Sequence, residues 1–562
     1  MPNELITLQL GHYANFVGTH FWNLQEASFS YNPKQPTSDE IDLNILHREG
    51  QTLQGDSTFT PRVVICDYQG SLKSLRKSGG LYKELDEKSV PPWEGALTRI
   101  EEPPERPNSA NKFLAQVAEE QNSTSVIHES LPKKRRHADY SLESSVEVWS
   151  DFAGVAFHPR SLSSLDKYWI NDQPEPFDVF GVGLEEWKNK KVQASLEDSI
   201  RYFVEECENM QGFQVLMDGH DGFAGLGTAV LDHLADEYGS KSVLVYPLFP
   251  TPLPESGDAK KDFFRLFNYA LSVAGSSDDH GHNAYVPLST TSRLSRPKVY
   301  LDRLPYARFQ QIPYHTSAIL AGAVDSFSLV NRLSSPDFVH LRDVVDAITV
   351  HHRKVAAMST MLPFPLRDSD SLFSALKAID AEYLPVTSLT PHVKTPLIDS
   401  QNRCYSQVMS LRGVPRQRWQ CTPEEIQSYR LSYEVASMPA TQLFENFMSS
   451  YCPNTFGIGR VTEFPLHTAV PYPQFFSDNI SENGYVIGSK TPRIDDVKRL
   501  PVMAGIHSTD KVKDLLTELT TVCQKQNLAK YPRLLDGGME AEDYKESFER
   551  LVTLTERYGD EK

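Results

Sequence analysis

The chain of 562 residues holds only six cysteines (Cys66, Cys207, Cys404, Cys421, Cys452 and Cys523), scattered and without a C-x-x-C pair. That spacing excludes a zinc knuckle and a disulfide framework, and it suits a reducing compartment. No run of about 18 apolar residues occurs, so no helix is expected to span a bilayer and any membrane association is expected to be peripheral. Positive charge is also in deficit. Against 56 Lys and Arg stand 74 Asp and Glu, a net charge of −18 that repels nucleic acid, which is therefore not an expected partner. The first ten residues include Glu4 and lead straight into an apolar stretch, so neither a secretory leader nor an Arg-rich transit peptide is expected there.

Apolar residues make up 40% of the chain and aromatic ones 10%, enough to fill the cores of two or three lobes. Leu5–Leu10 reads as a short strand broken by Gly11, with helical character from His12 to Trp22. Pro61–Asp67 reads as a strand buried on both faces. Between about Glu101 and Ser145 the composition turns to Pro, Ser and Glu, with the basic run Lys133–His137, and a mostly flexible insertion is expected. The basic run is expected to be a solvated loop, with a nuclear signal or an anionic surface as its functional readings.

Leu196, Ile200, Phe203, Val204, Cys207 and Met210 recur at helical spacing, with Ser195 and Asp198 as an expected capping box. The strand Phe213–Met217 and a loop carrying Gly219, Gly222, Gly225 and Gly227 follow. A second helix, stopped by Gly239, then leads to a strand over Ser242–Phe249. Helix, strand, loop, helix, strand is the pattern of a doubly wound α/β sheet. Glycines between a strand and a helix admit two readings: a cradle whose amides hold phosphate, or close packing of backbone on backbone. Towards the end, Val512, Leu515, Leu516, Leu519, Val522 and Cys523 predict a helix behind Ser508 and Thr509 as caps, and Tyr544 to Tyr558 predict a final one.

Six stretches, in order, resemble tubulins: Gly11–Gly18 with Phe21-Trp22; Pro61–Gln69; Gly80-Leu81-Tyr82; Met210–Phe213 through the glycine loop to Tyr238–Ser242; Met361–Pro365; and Gly538–Tyr544. Leu8–His12, Gly70–Leu75 and Val148–Phe152 resemble more particularly the Misato family of divergent tubulin relatives. The resemblance implies a tubulin-like α/β fold. Its parts would be a nucleotide-binding-type sheet domain over 1–95 and 148–345, interrupted by the insertion 96–147, an intermediate α+β domain over 346–500, and a C-terminal helical region over 501–562.

The same resemblance places a degenerate nucleotide pocket at Gly11, His12, Asn15, Asp67, Gly219, Gly222, Gly225 and Asn331. His12 stands where tubulin has a glutamine that contacts magnesium and phosphate, Tyr13 and Phe16 stand at two small polar base contacts, and His220, Asp221 and Phe223 replace loop glycines. Gln69 replaces an acid beside Asp67. Counting back from Met361–Pro365 puts tubulin's hydrolytic loop at His351-His352-Arg353, where no acid stands. GTP is thus the one cofactor the resemblance admits, and these substitutions oppose it; no catalytic or metal-ligating residue is assigned. Asp278–His282 has metal-binding residue types but sits in a Ser- and Gly-rich loop, and no nucleophile elbow is present.

The implied function is non-enzymatic control of mitochondrial distribution, morphology, fusion and inheritance, exercised in the cytoplasm and at the cytosolic face of the mitochondrial outer membrane. Two alternatives belong to other classes: a GTP-binding protein that co-assembles with tubulin, and an adaptor of the cytosolic tubulin-folding chaperonin.

Overall fold

The computed structural model describes residues 3–29, 40–51, 57–73, 75, 111–122, 137–170, 176–251, 258–275, 282–294, 304–334, 336–381, 384, 386–395, 403–488, 495–524 and 528–559. The Gly80–Tyr82 stretch, the basic residues 133–136 and Asp278–Gly281 lie outside these.

The first sheet is built from β1 (Leu5–Leu10), β2 (Val63–Gln69), β3 (Leu162–Trp169), β4 (Gly212–Asp218), β5 (Ser242–Phe249), β6 (His282–Tyr285) and β7 (Leu288–Ser289). Its order is β3-β2-β1-β4-β5-β6, with β7 continuing beside β5, and every pairing is parallel. Parallel sheets are covered on both faces, which is why β1, β4 and β5 are buried at every position. On β1, Ile6, Leu8 and Leu10 enter one hydrophobic cluster while Leu5 enters the other.

Helices α1 (His12–Glu26), α2 (Lys112–Asn122), α3 (Phe180–Trp187), α4 (Lys190–Glu205), α5 (Gly222–Tyr238), α6 (Ala259–Ala274), α7 (Pro313–Ser328) and α8 (Leu341–Ile348) accompany this sheet. Residues of α1 and α7 fill one cluster, and residues of α4, α5 and α6 fill the other. Helix α7 is buried from Tyr314 to Ser328 without a polar face, as a helix enclosed by protein must be.

A second sheet packs beyond α7. It comprises β8 (Ala357–Met361), β9 (Thr387–Ser388), β10 (Cys404–Arg412), β11 (Phe456–Thr462) and β12 (Val502–Thr509), in the order β9-β8-β12-β10-β11. Pairing is antiparallel except between β10 and β11. Helices α9 (Leu372–Ala381) and α10 (Ala440–Tyr451) contribute to its separate core, while α11 (Val512–Gln524) and α12 (Ala541–Glu556) join the cluster under α4, α5 and α6. A buried ionic knot ties the two lobes. Asp325 on α7 accepts from Arg332 Nη2 at 2.8 Å and from Arg412 Nη1 of β10 at 2.5 Å, and Gln25 of α1 joins them.

Several local expectations are corrected. Ser195 lies inside α4; the helix starts one and a half turns earlier, where the Asn189 side chain accepts from the Lys191 amide. Ser508 and Thr509 are buried ends of β12 rather than caps, so the segment from 501 opens with the strand at the middle of the second sheet. Parts of the expected flexible insertion are packed: Phe113 of α2 is buried, as are Tyr140 and Leu142, and Asn111 Nδ2 donates to the Asp151 carbonyl. Single apolar anchors do this work, which average composition hides. Helix α5 does end at Tyr238, with Gly239 at its C-cap.

Candidate functional site

Parallel strands deliver their carboxyl ends to one edge, and the site forms where β1, β2 and β4 end side by side. β1 runs out at Leu10, and Gly11, at φ +119°, turns the chain into α1. A Cβ on Gly11 would fall 2.5 Å from the Asp218 carboxyl carbon, so only glycine allows the close approach.

Asp218 ends β4 and is fully buried. Its Oδ2 accepts from the Tyr13 amide at 2.9 Å and its Oδ1 from the Ala14 amide at 2.7 Å. These are amides of the first turn of α1, the place where a helix N-terminus receives an anion. The chain's own carboxyl group therefore occupies the acceptor position at this helix N-terminus. Burial first, and the charge of Asp221 next, push this carboxyl well above the usual carboxylate range, although the two amides pull it down.

The glycine loop is equally committed. The Gly219 amide donates to Leu248 O at 2.9 Å, the Gly222 amide to Phe177 O at 3.0 Å, and the Ala224 amide to Asp221 O at 3.1 Å. Asp221 caps α5 by accepting from the Phe223 amide at 2.9 Å, and its other oxygen accepts from Tyr68 Oη at 2.9 Å. Burial raises Asp221 to about 7. The glycines serve close packing: a Cβ on Gly225 would lie 1.9 Å from the Phe180 carbonyl oxygen of α3, and one on Gly222 2.7 Å from the Phe177 ring. Of the two readings of this loop, the geometry fits backbone packing.

On β2, Asp67 Oδ2 accepts from Trp149 Nε1 at 2.6 Å and meets His12 Nδ1 at 3.0 Å. Asn15 donates to the Cys66 carbonyl at 3.2 Å. Tyr13 and Phe16 are buried, with Tyr13 Oη donating to Thr316 Oγ1 at 3.0 Å. Phe16, Phe152, His20 and Tyr314 form a continuous ring contact on that side, and Tyr68, Phe177 and Phe223 another below the loop. Burial lowers both His20 and His220 to about 3, so both imidazoles are neutral at physiological pH.

Gly11, His12, Asn15, Asp67, Gly219, Gly222 and Gly225 thus come together. Asn331 does not. It donates to Val339 O at 2.8 Å and its own carbonyl accepts from Gln211, which precedes β4, so it sits at the far end of that strand from the glycine loop. Exposed His351 and His352 both adopt left-handed backbone, and Arg353 Nε donates to the Arg557 carbonyl beyond α12 at 2.9 Å. Asp343 occupies the first turn of α8, while Asp346 faces Arg342 at 3.7 Å and His282 at 3.9 Å.

Asp218 is the residue that sequence reasoning missed, and its signal was an acid closing the apolar run from Phe213 to Met217. Asp218, His220 and Asp221 each bring one potential ligand atom within 4.8 Å of the others, but the carboxyl oxygens already hold amides and a phenol.

Comparison with known proteins accords with this architecture. Residues 3–116 match the Misato segment II tubulin-like domain, and residues 139–333 match the tubulin domain. Protein misato homolog 1 of Mus musculus is 31% identical over 563 residues, covering 99% of this chain and 98% of the relative. Its Homo sapiens counterpart is 32% identical over 576 residues, with 99% and 98% covered. Protein misato of Drosophila melanogaster is 29% identical over 581 residues, again with 99% and 98% covered. The two-sheet α/β fold, the tubulin-like domains and the whole-length relatives lead to one assignment: this chain belongs to the Misato family.

Proposed function

We propose that the chain is a tubulin-shaped scaffold that works without nucleotide turnover, controlling mitochondrial distribution, morphology, fusion and inheritance from the cytosolic face of the outer membrane. The observation that carries the non-enzymatic part is Asp218 seated on the Tyr13 and Ala14 amides. A γ-phosphate can be hydrolysed only where amides, metal and water are free to receive it, and here the amides are taken. The mitochondrial part rests on the family resemblance, since a fold by itself names no organelle. Docking at the outer membrane would be peripheral, because no described helix is long and apolar enough to cross a bilayer.

Two measurements test the reading. Purified protein is denatured and its released small molecules chromatographed, and the native protein is then titrated with GTP and magnesium. No released guanine nucleotide and no response at millimolar GTP are expected; stoichiometric nucleotide would replace this proposal with GTP-dependent co-assembly with tubulin. In cells, depletion is expected to collapse or fragment the mitochondrial network, with rescue by the intact chain. A normal network after depletion would sink the mitochondrial role. A stable stoichiometric complex with the cytosolic chaperonin would point instead to the adaptor function.

A further inference from the structure

A buried arginine normally faces an acid, as Arg332 and Arg412 face Asp325. Arg353 does not. It is 4% exposed, its Nη1 is buried without a hydrogen-bond partner, and its Nε donates to an uncharged acceptor, the Arg557 carbonyl. Its guanidinium carbon lies 3.9 Å from the centre of the Tyr405 ring, and that of Arg403 lies 5.2 Å from the centre of the same ring. Among the described residues neither guanidinium forms an ion pair.

Three segments bring basic groups to this place. The turn Val350–His352 leads towards β8 and presents exposed His351 and His352 at φ 56° and 60°. Left-handed backbone is costly outside glycine and gathers at binding sites. Exposed Arg403 immediately precedes β10, and Asp510 accepts from its amide at 3.1 Å rather than from its guanidinium. Arg557 follows α12 and its Nη1 donates to the His352 carbonyl at 3.3 Å. The next residue, Tyr558, accepts from the Val355 amide at 2.8 Å and so holds the end of α12 against the entry to β8. In a chain of net charge −18, this gathering of cations is a local exception.

We propose that Arg353, Arg403 and Arg557, with His351 and His352, form a docking surface for an acidic polypeptide segment. The carboxylates of that segment supply the counter-charge that Arg353 and Arg403 lack, and guanidinium forks suit them. The basic groups come from three elements instead of converging on one point, which fits several carboxylates along a chain better than one small anion. Contact with Tyr405 holds two of the guanidiniums in place before the partner arrives, so less side-chain freedom is lost on binding.

The full chain is titrated into fluorescein-labelled deca-glutamate, with a Gly-Ser peptide of the same length as the uncharged control, and fluorescence anisotropy is read. Binding of deca-glutamate alone is expected, weakening steeply between about 20 mM and about 200 mM salt. Arg403→Glu reverses an exposed charge and is expected to weaken binding about tenfold. Lys545→Glu makes the same change of net charge on the exposed first turns of α12, far along that helix from Arg557, and is expected to leave binding unchanged. Failure of the parent to bind deca-glutamate at low salt would overturn the proposal, as would equal losses in the two variants, which would mean attraction by the overall field. Sedimentation with phosphatidylserine vesicles is expected to show no binding that depends on Arg403. Arg403-dependent capture by vesicles without binding of the peptide would assign the surface to lipid instead.

Discussion

Arg412 of the second sheet places Nη1 2.5 Å from Asp325 Oδ2 of the central helix, deep in the seam between the two lobes. Burial pulls the Arg412 guanidinium down to about 10, where it is still protonated at neutral pH, so the contact is ionic. Arg332 takes the other oxygen of the same carboxylate at 2.8 Å. One carboxylate thus bridges two buried cations from different parts of the chain.

Asp325→Asn would leave those two guanidiniums facing each other without a counter-charge. Removing one member of a buried ionic cluster costs about 3–5 kcal/mol. Urea denaturation of the full chain is expected to show a large drop in midpoint. A shift within the error of the parent would mean that water, not Asp325, solvates the arginines.

Asp218→Ala removes the acceptor of the Tyr13 and Ala14 amides. Buried donors left without partners cost about 1–3 kcal/mol, so Tm is expected to fall. The emptied helix terminus then becomes receptive to an added anion. Millimolar pyrophosphate is expected to restore part of the variant's Tm and to leave the parent unchanged, and equal responses would refute the seat assigned to Asp218.

The raised Asp221 gives a pH dependence of definite sign. Its folded value is about 7 against an unfolded value of about 3.9, so between those limits the folded state holds a proton that the unfolded chain has lost. Its contribution therefore makes stability fall as pH rises from about 4 to about 7, and it levels off above that. His20, His47 and His220, each lowered to about 3, act oppositely and lose stability as pH falls from about 6.5 towards 3. The parent must therefore be compared with Asp221→Asn, which retains the cap acceptor. Relative to the variant, the parent is expected to be less stable at pH 7.5 than at pH 5; a constant difference would show that Asp221 titrates normally.

Gly225→Ala is expected to lower stability by about 1–3 kcal/mol, since the new methyl would meet the Phe180 carbonyl oxygen at 1.9 Å and α3 would have to move. Gly488→Ala, with nothing within 4 Å of the added methyl, is the control and is expected to be near neutral. If both behave alike in thermal unfolding, α3 and α5 are not as closely seated as described.

Much of the fold was legible because burial on two faces writes itself as apolar runs. Leu5–Leu10, Val63–Cys66, Phe213–Met217 and Ser242–Phe249 all became strands of the first sheet. Helix α4 was read one and a half turns late because its first residues, Lys190-Lys191, are exposed and hide the start of the apolar stripe. The tubulin resemblance marked Tyr13 and Phe16 as bulky replacements at small polar positions, and both are buried. Asp218 was not, because its role exists only once β1 and β4 lie parallel with their ends adjacent. Asn331 misled for a related reason: sequence alignment gives a residue's neighbours along the chain, not the end of the strand it reaches.

Gly11 and Asp218 have a consequence for regulation. A free ligand occupies a site according to its concentration, but Asp218 is carried to the α1 amides by the fold itself, and the Gly11 turn leaves no space for it to retreat behind a side chain. Its effective concentration is fixed by geometry and exceeds what a dissolved competitor can offer. Under the proposed scaffold role, a rising or falling nucleotide supply would then have no purchase on this helix terminus.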